Sequence, residues 1–168
     1  MHPHIRTLLA TAIGLTVALA FGAPATSADL PQSGTFKLHS GWKSVGEAVQ
    51  VDSNHVFGAG HFYGVTFNDA GSGPLHNGTA VCSYTLELIN GTGSAQGLCA
   101  WRDGDGDKIF NSYTGKIAAS GALSGENQIT GGTGKFAGIQ GKGPWQCATL
   151  SDKAQYACTQ QFDYSLTK

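Results

Sequence analysis

The sequence predicts an all-β protein, an antiparallel closed barrel of eight or nine strands joined by short hairpin turns. Three observations carry that prediction. Two-fold alternation of side-chain type runs through almost all of residues 29–168, and helix signals are nearly absent. Glycine supplies 25 of 168 residues, about twice its usual share, with neither a collagen period nor a low-complexity run. Where it fills one face of a long strand, it lets a sheet coil tightly enough to close. Finally, Cys82 and Cys99 stand equally far from Asn90-Gly91, the preferred pair for a two-residue type I′ hairpin turn because both positions need positive φ. Folding the chain about that turn sets Ile89 against Thr92, Glu87 against Ser94, and Cys82 against Cys99. The cysteines then fall at a non-hydrogen-bonded pair, where facing Cα atoms are close enough for a disulfide.

Residues 1–28 read as a signal peptide. A basic stretch over residues 2–6 precedes an uncharged apolar run over residues 8–21, and small residues lead to a cleavage point after Ala28. The run is short for a membrane span, which needs roughly 20 residues. A secreted or periplasmic location is therefore expected, and the even count of 4 cysteines, all beyond the cut, agrees with it. Residues 29–168 have the length of a single barrel domain.

The strands follow in order. Residues 35–42 place Phe36, Leu38 and Trp42 on one face, and residues 45–51 group Val45, Val49 and Val51 with Glu47. Residues 55–67 alternate large side chains (Phe57, His61, Tyr63, Val65, Phe67) with Gly58, Gly60 and Gly64, and the large set reads as the inward one. Cys82, Tyr84, Leu86 and Leu88 share a face, as do Ala95, Gly97, Cys99 and Trp101. Further strands are expected over 108–113, 114–123, 143–149 and 155–166. Cys147 and Cys158 are symmetric about Asp152-Lys153, so a tight loop there would pair them too. Pairing within each hairpin is the simplest of the three connectivities that four cysteines allow, and bridges crossing between hairpins are the alternative.

One stretch, Ile129-Thr130-Gly131-Gly132-Thr133-Gly134-Lys135-Phe136-Ala137-Gly138-Ile139-Gln140-Gly141, resembles the glycine-rich turn and strand of the allene oxide cyclase and dirigent barrels. The resemblance implies an eight-stranded antiparallel barrel with a cavity. It carries over no catalytic position, because the matching residues are structural. Two hairpin disulfides depart from the plant families' pattern, which points to a bacterial-type secreted relative of unassigned activity.

The chemistry is sparse. Lys+Arg 10 against Asp+Glu 11, with only 12% charged residues, gives no basic patch for nucleic acid and no acidic tail for a cationic partner. Asp103, Asp105 and Asp107 alternate as the opening ligands of calcium loops do, making calcium the one cofactor to consider. The EF-hand continuation fails, since Lys108 stands at its glycine position and Thr114 at its bidentate glutamate position, so a solvent-exposed turn with weak or no calcium affinity is expected. His55 and His61 lie roughly 20 Å apart along a strand, too far to share a metal. Glu47 on an apolar face is either an acid, base or orienting group beside His61 and Tyr63, or a rim carboxylate facing outward.

Three functions fit this pattern. One is binding of a small apolar molecule, with Trp42, Glu47, His61, Tyr63 and Trp101 as candidate contacts. The second is a cyclase-like or dirigent-like enzyme using Glu47, and the third a structural module with a filled interior. The presence and lining of a cavity decide among them.

Overall fold

In the structure, a computed structural model that describes residues 30–151 and 153–167, the strands follow one another as a meander. They are β1 (Ser33–Asp52), β2 (His55–Asn68), β3 (Gly78–Ile89), β4 (Thr92–Arg102), β5 (Lys108–Ile117), β6 (Leu123–Gly132), β7 (Ile139–Ser151) and β8 (Gln155–Leu166). A short 3₁₀ turn at Gly134–Phe136 joins β6 to β7. Every neighbouring pair is antiparallel, and β8 pairs with β1 to close an eight-stranded barrel. The expected signal peptide lies outside the described residues.

Asn90 and Gly91 adopt φ of 52° and 74°, the left-handed pair a type I′ turn demands. The register that follows sets Ile89 opposite Thr92 and Cys82 opposite Cys99. Cys82–Cys99 and Cys147–Cys158 are both disulfides, with Cα separations of 4.0 and 4.1 Å. The second hairpin differs in detail from its symmetric prediction. Ser151 pairs with Gln155, and an irregularity between Thr149 and Ser151 absorbs the offset so that Cys147 still meets Cys158.

Two strand boundaries also differ. The stretches 35–42 and 45–51 form one continuous strand, β1, which pairs with β8 from Ser33 to Lys43 and with β2 from Leu38 to Asp52. Its second half runs past the end of β8 and is exposed on both faces. The predicted strand 114–123 instead spans the β5–β6 turn, where Gly121 N–H donates to Ala118 C=O. β6 runs from Leu123 to Gly132, so only its last four residues belong to the glycine-rich stretch 129–141.

The larger correction concerns β2. Phe57, His61, Tyr63, Val65 and Phe67 face outward, and the glycine face with Phe62, Thr66 and Asn68 faces in. Rings from neighbouring strands fill the space that these glycines leave. A Cβ on Gly64 would come within 2.5 Å of the Trp42 ring, and one on Gly60 within 2.8 Å of the Tyr84 hydroxyl. The same device recurs across the barrel, where Trp145 lies over Gly115. An aromatic ring seated on an inward glycine packs a narrow barrel without forcing its wall apart.

The two ends of the barrel are built differently. At the end carrying the β2–β3, β4–β5 and β6–β7 connections, Phe36, Leu38, Ile109, Ile129, Ile139 and Phe162 form a solid core. Leu75 and Phe136 join that core from two of these loops, each with no measurable exposure. Leu75 holds a φ of 58°, costly for a leucine, and is fixed there by Thr66 Oγ1 donating to its carbonyl at 2.7 Å. The connections at the other end, two to five residues long, supply no such plug among the described residues.

Candidate functional site: a cavity in the unplugged half of the barrel

The unplugged half encloses a cavity of about 290 Å³ that opens between the tight turns. Its wall is aromatic and aliphatic. Trp42, Phe62, Tyr84, Trp101, Tyr113, Trp145 and Tyr156 supply rings, while Leu86, Leu88, Ile117 and Leu123 supply aliphatic surface toward the mouth. Both cystines line it. Among the described residues no Lys, Arg, His, Asp or Glu does so.

The strands position these groups by simple alternation. On β3 the inward set is Cys82, Tyr84 and Leu86, and on β4 it is Ala95, Cys99 and Trp101, as the sequence pattern indicates. The rings brace one another. Trp42 meets Trp101 edge-on at 5.4 Å, Phe62 lies 4.7 Å from Tyr84, and Tyr113 meets Trp145 edge-on at 5.8 Å. Tyr113 reaches over Gly97 to donate its hydroxyl to Ser83 C=O at 3.0 Å. Burial, with a smaller contribution from nearby Tyr84, raises its ionisation well above the ordinary phenol range. Tyr156 is raised for the same two reasons, burial first. The cavity wall therefore stays uncharged at neutral pH.

Polar groups in the wall are few and mostly tied to each other. Trp42 Nε1 donates to Ser40 Oγ at 2.7 Å, and Gln160 holds the same hydroxyl at 3.1 Å. Trp101 Nε1 donates to Asn111 Oδ1, and Asn111 Nδ2 donates to Asn127 Oδ1 at 2.8 Å. Two buried donors of the wall, Asn127 Nδ2 and Trp145 Nε1, have no partner.

Of the five residues expected to contact a guest, Trp42 and Trp101 line the cavity. Glu47, His61 and Tyr63 do not. Glu47 lies on the outward face of the β1 overhang, and His61 and Tyr63 sit on the outer face of β2 with their rings 6.3 Å apart. The reading of Glu47 as a rim carboxylate facing outward is the one that holds. The wall's other rings, Phe62, Tyr84, Tyr113, Trp145 and Tyr156, carry no such expectation, because alternation along one strand does not show which rings of different strands meet. The remaining strand histidines are surface partners, His55 to Glu87 and His39 to Asp69, both at 2.8 Å.

The acidic loop differs from the expected exposed turn. Asp103 is buried, and its Oδ1 accepts the backbone N–H groups of Asp105 and Asp107 at 3.0 and 3.2 Å. Lys135 Nζ lies 2.5 Å from Asp103 Oδ2 and 2.6 Å from Asp105 Oδ2, while the Lys135 N–H donates to Asp107 Oδ2 at 3.1 Å. Burial alone would lower the lysine's ionisation, but the two carboxylates outweigh it and raise it. Asp103 and Asp105 thus hold the Lys135 ammonium between them, while Asp107 fixes the same residue's backbone. Among the described residues no group of three or more His, Cys, Asp or Glu is arranged to hold a metal ion.

No protein-family model matches the chain, and no curated protein is similar to it. Among the described residues no helix is long and apolar enough to cross a membrane.

Proposed function

We propose that the protein binds a small, uncharged, mainly apolar molecule inside its barrel. The carrying observation is the cavity itself. At about 290 Å³ it sits at the small end of the range for ligand pockets, roughly 300–1,000 Å³, and its wall combines rings and aliphatic chains with few polar groups. An ordinary packed core would have filled this half as it filled the other. The resemblance of residues 129–141 to the allene oxide cyclase and dirigent barrels supports the same reading, since those barrels carry cavities. A cyclase-like mechanism through Glu47 gains no support, because that carboxylate is outside the cavity. We also infer that the protein works after export. The leader-like residues 1–28 and the absence of free cysteine among the described residues support an oxidising compartment.

All three tryptophans line the cavity, so a bound guest must change the protein's own emission. Titration with the neutral probe N-phenyl-1-naphthylamine is expected to quench tryptophan fluorescence saturably with one probe per barrel. Native mass spectrometry of protein from its own host should show a co-purifying small molecule. Unchanged emission to the solubility limit of the probe, with no co-purifying mass, would overturn the proposal.

A further inference from the structure

The direction of one hydrogen-bond chain specifies the guest further. Trp101, Asn111 and Asn127 stand on the three successive strands β4, β5 and β6, and all three are buried. An indole N–H can only donate, so the Asn111 atom facing Trp101 is its oxygen. That places Asn111 Nδ2 toward Asn127, which must in turn present its own oxygen. Rotating either amide by half a turn would set donor against donor. The Asn127 NH₂ is therefore fixed as the free end of the chain, and it has no partner. Trp145, on the adjacent strand β7 and diagonal to Asn127 in the register, contributes a second buried donor without a partner, its Nε1. Both side chains belong to the cavity wall.

A buried donor left unpaired is costly, and its natural complement is an acceptor on whatever enters the cavity. The acceptor must also be uncharged. A carboxylate or phosphate there would be desolvated with no cationic side chain in the wall to offset it. Resting on the binding function proposed above, we infer that the guest is a neutral molecule with an apolar skeleton and a carbonyl or ether oxygen, which accepts hydrogen bonds from Asn127 Nδ2 and Trp145 Nε1. Hydrocarbons, carboxylic acids and amines are then poorer guests than ketones, esters or ethers of the same skeleton.

The test displaces N-phenyl-1-naphthylamine with three rigid competitors sharing one skeleton: adamantane, 2-adamantanone and 1-adamantanecarboxylate at pH 7. The ketone is expected to bind about tenfold or more tighter than the hydrocarbon, and the carboxylate weakest of the three. Asn127→Leu and Trp145→Phe should each shrink the ratio of ketone to hydrocarbon affinity toward one, whatever each does to binding of the hydrocarbon itself. The infrared carbonyl stretch of 2-adamantanone bound to unaltered protein gives a readout independent of any variant. It should lie below its frequency in alkane solvent. Equal affinity for ketone and hydrocarbon, with a carbonyl stretch as in alkane, overturns the inference and leaves the binding function standing. A probe that never binds, with no competitor registering in the tryptophan emission, overturns both.

Discussion

The two ends of this barrel share the same eight strands yet hold their shape by different means. At one end longer connections fold back over the opening, and Leu75 and Phe136 drop from them into the core. At the other the connections, two to five residues long, place no large apolar side chain inward, so the interior stays open between Leu88, Ile117 and Leu123. Both disulfides lie in that open half, in the β3–β4 and β7–β8 hairpins. Packing holds the plugged end, while cross-links restrain the open end, which lacks a plug. What separates the two ends is whether a connection turns an apolar side chain inward, as those carrying Leu75 and Phe136 do.

The sharpest way to break this comparison is to cut the same kind of mass from each end. Phe162→Ala removes a ring with no exposure, stacked 5.2 Å from Phe36 and edge-on to Trp101 at 5.7 Å, and should cost about 3–5 kcal/mol in urea unfolding. Leu86→Ala, on a wall already facing empty space, should cost less than half as much and enlarge the site. Equal losses would mean that the open half is as tightly packed as the plugged one.

Removing a cross-link comes next. Replacing both cysteines of either pair by alanine should cost about 3 kcal/mol, since the closed loops, with sequence separations of 17 and 11, are similar in length. The loss should be accompanied by weaker probe binding, because the bridges line the cavity. Stability lost with unchanged binding would separate the cystines from the shape of the mouth.

At the plugged end, Lys135→Met leaves the buried Asp103 without its counter-charge and should cost about 2 kcal/mol. The sign of its pH dependence follows from the raised lysine. A cation favoured by the fold stabilises it fully below its unfolded value near 10.5 and progressively less as pH climbs through the folded value. The gap between wild type and variant should therefore close only in strongly alkaline solution, as urea midpoints at pH 8 and above pH 11 would show. The smallest effect belongs to the outer face. Glu47→Gln with His61→Ala should leave probe affinity unchanged and shift stability by under about 0.5 kcal/mol. A clear loss of binding would return the site to that face.

How much of this was legible beforehand follows from which interactions are local. The Asn90-Gly91 turn, its register and the Cys82–Cys99 bridge are set within one hairpin, and the sequence pattern located them. So were Trp42 and Trp101, the first in line with Phe36 and Leu38 and the second with Ala95 and Cys99. β2 misled because period-two alternation separates two faces without saying which is inside, and bulk is the usual guide. Here Gly60 and Gly64 are inside because Tyr84 and Trp42 arrive from β3 and β1 to cover them. β6 was hidden for a related reason. Its inward set includes Gly125 and Asn127, and Asn127 is recognisable as a wall residue only once Asn111 lies beside it. Likewise Lys135 is remote in sequence from Asp103 and Asp105, so the loop read as a solvent-exposed turn although Asp103 is buried.

Closure between β1 and β8 brings Gln32 and Leu166, 134 positions apart, into direct hydrogen-bond contact. A ring of staves has no first or last member, so where the chain is interrupted is separable from the architecture. Linking these neighbouring ends and reopening the chain between Asn90 and Gly91 would keep every ladder of the barrel while reassigning which ladder is formed by the most distant residues. Native stability and folding rate could then be varied separately, since the rate tracks the sequence separation of contacts rather than their number. The order in which the strands are synthesised, and not the finished barrel, is what such a rearrangement would change.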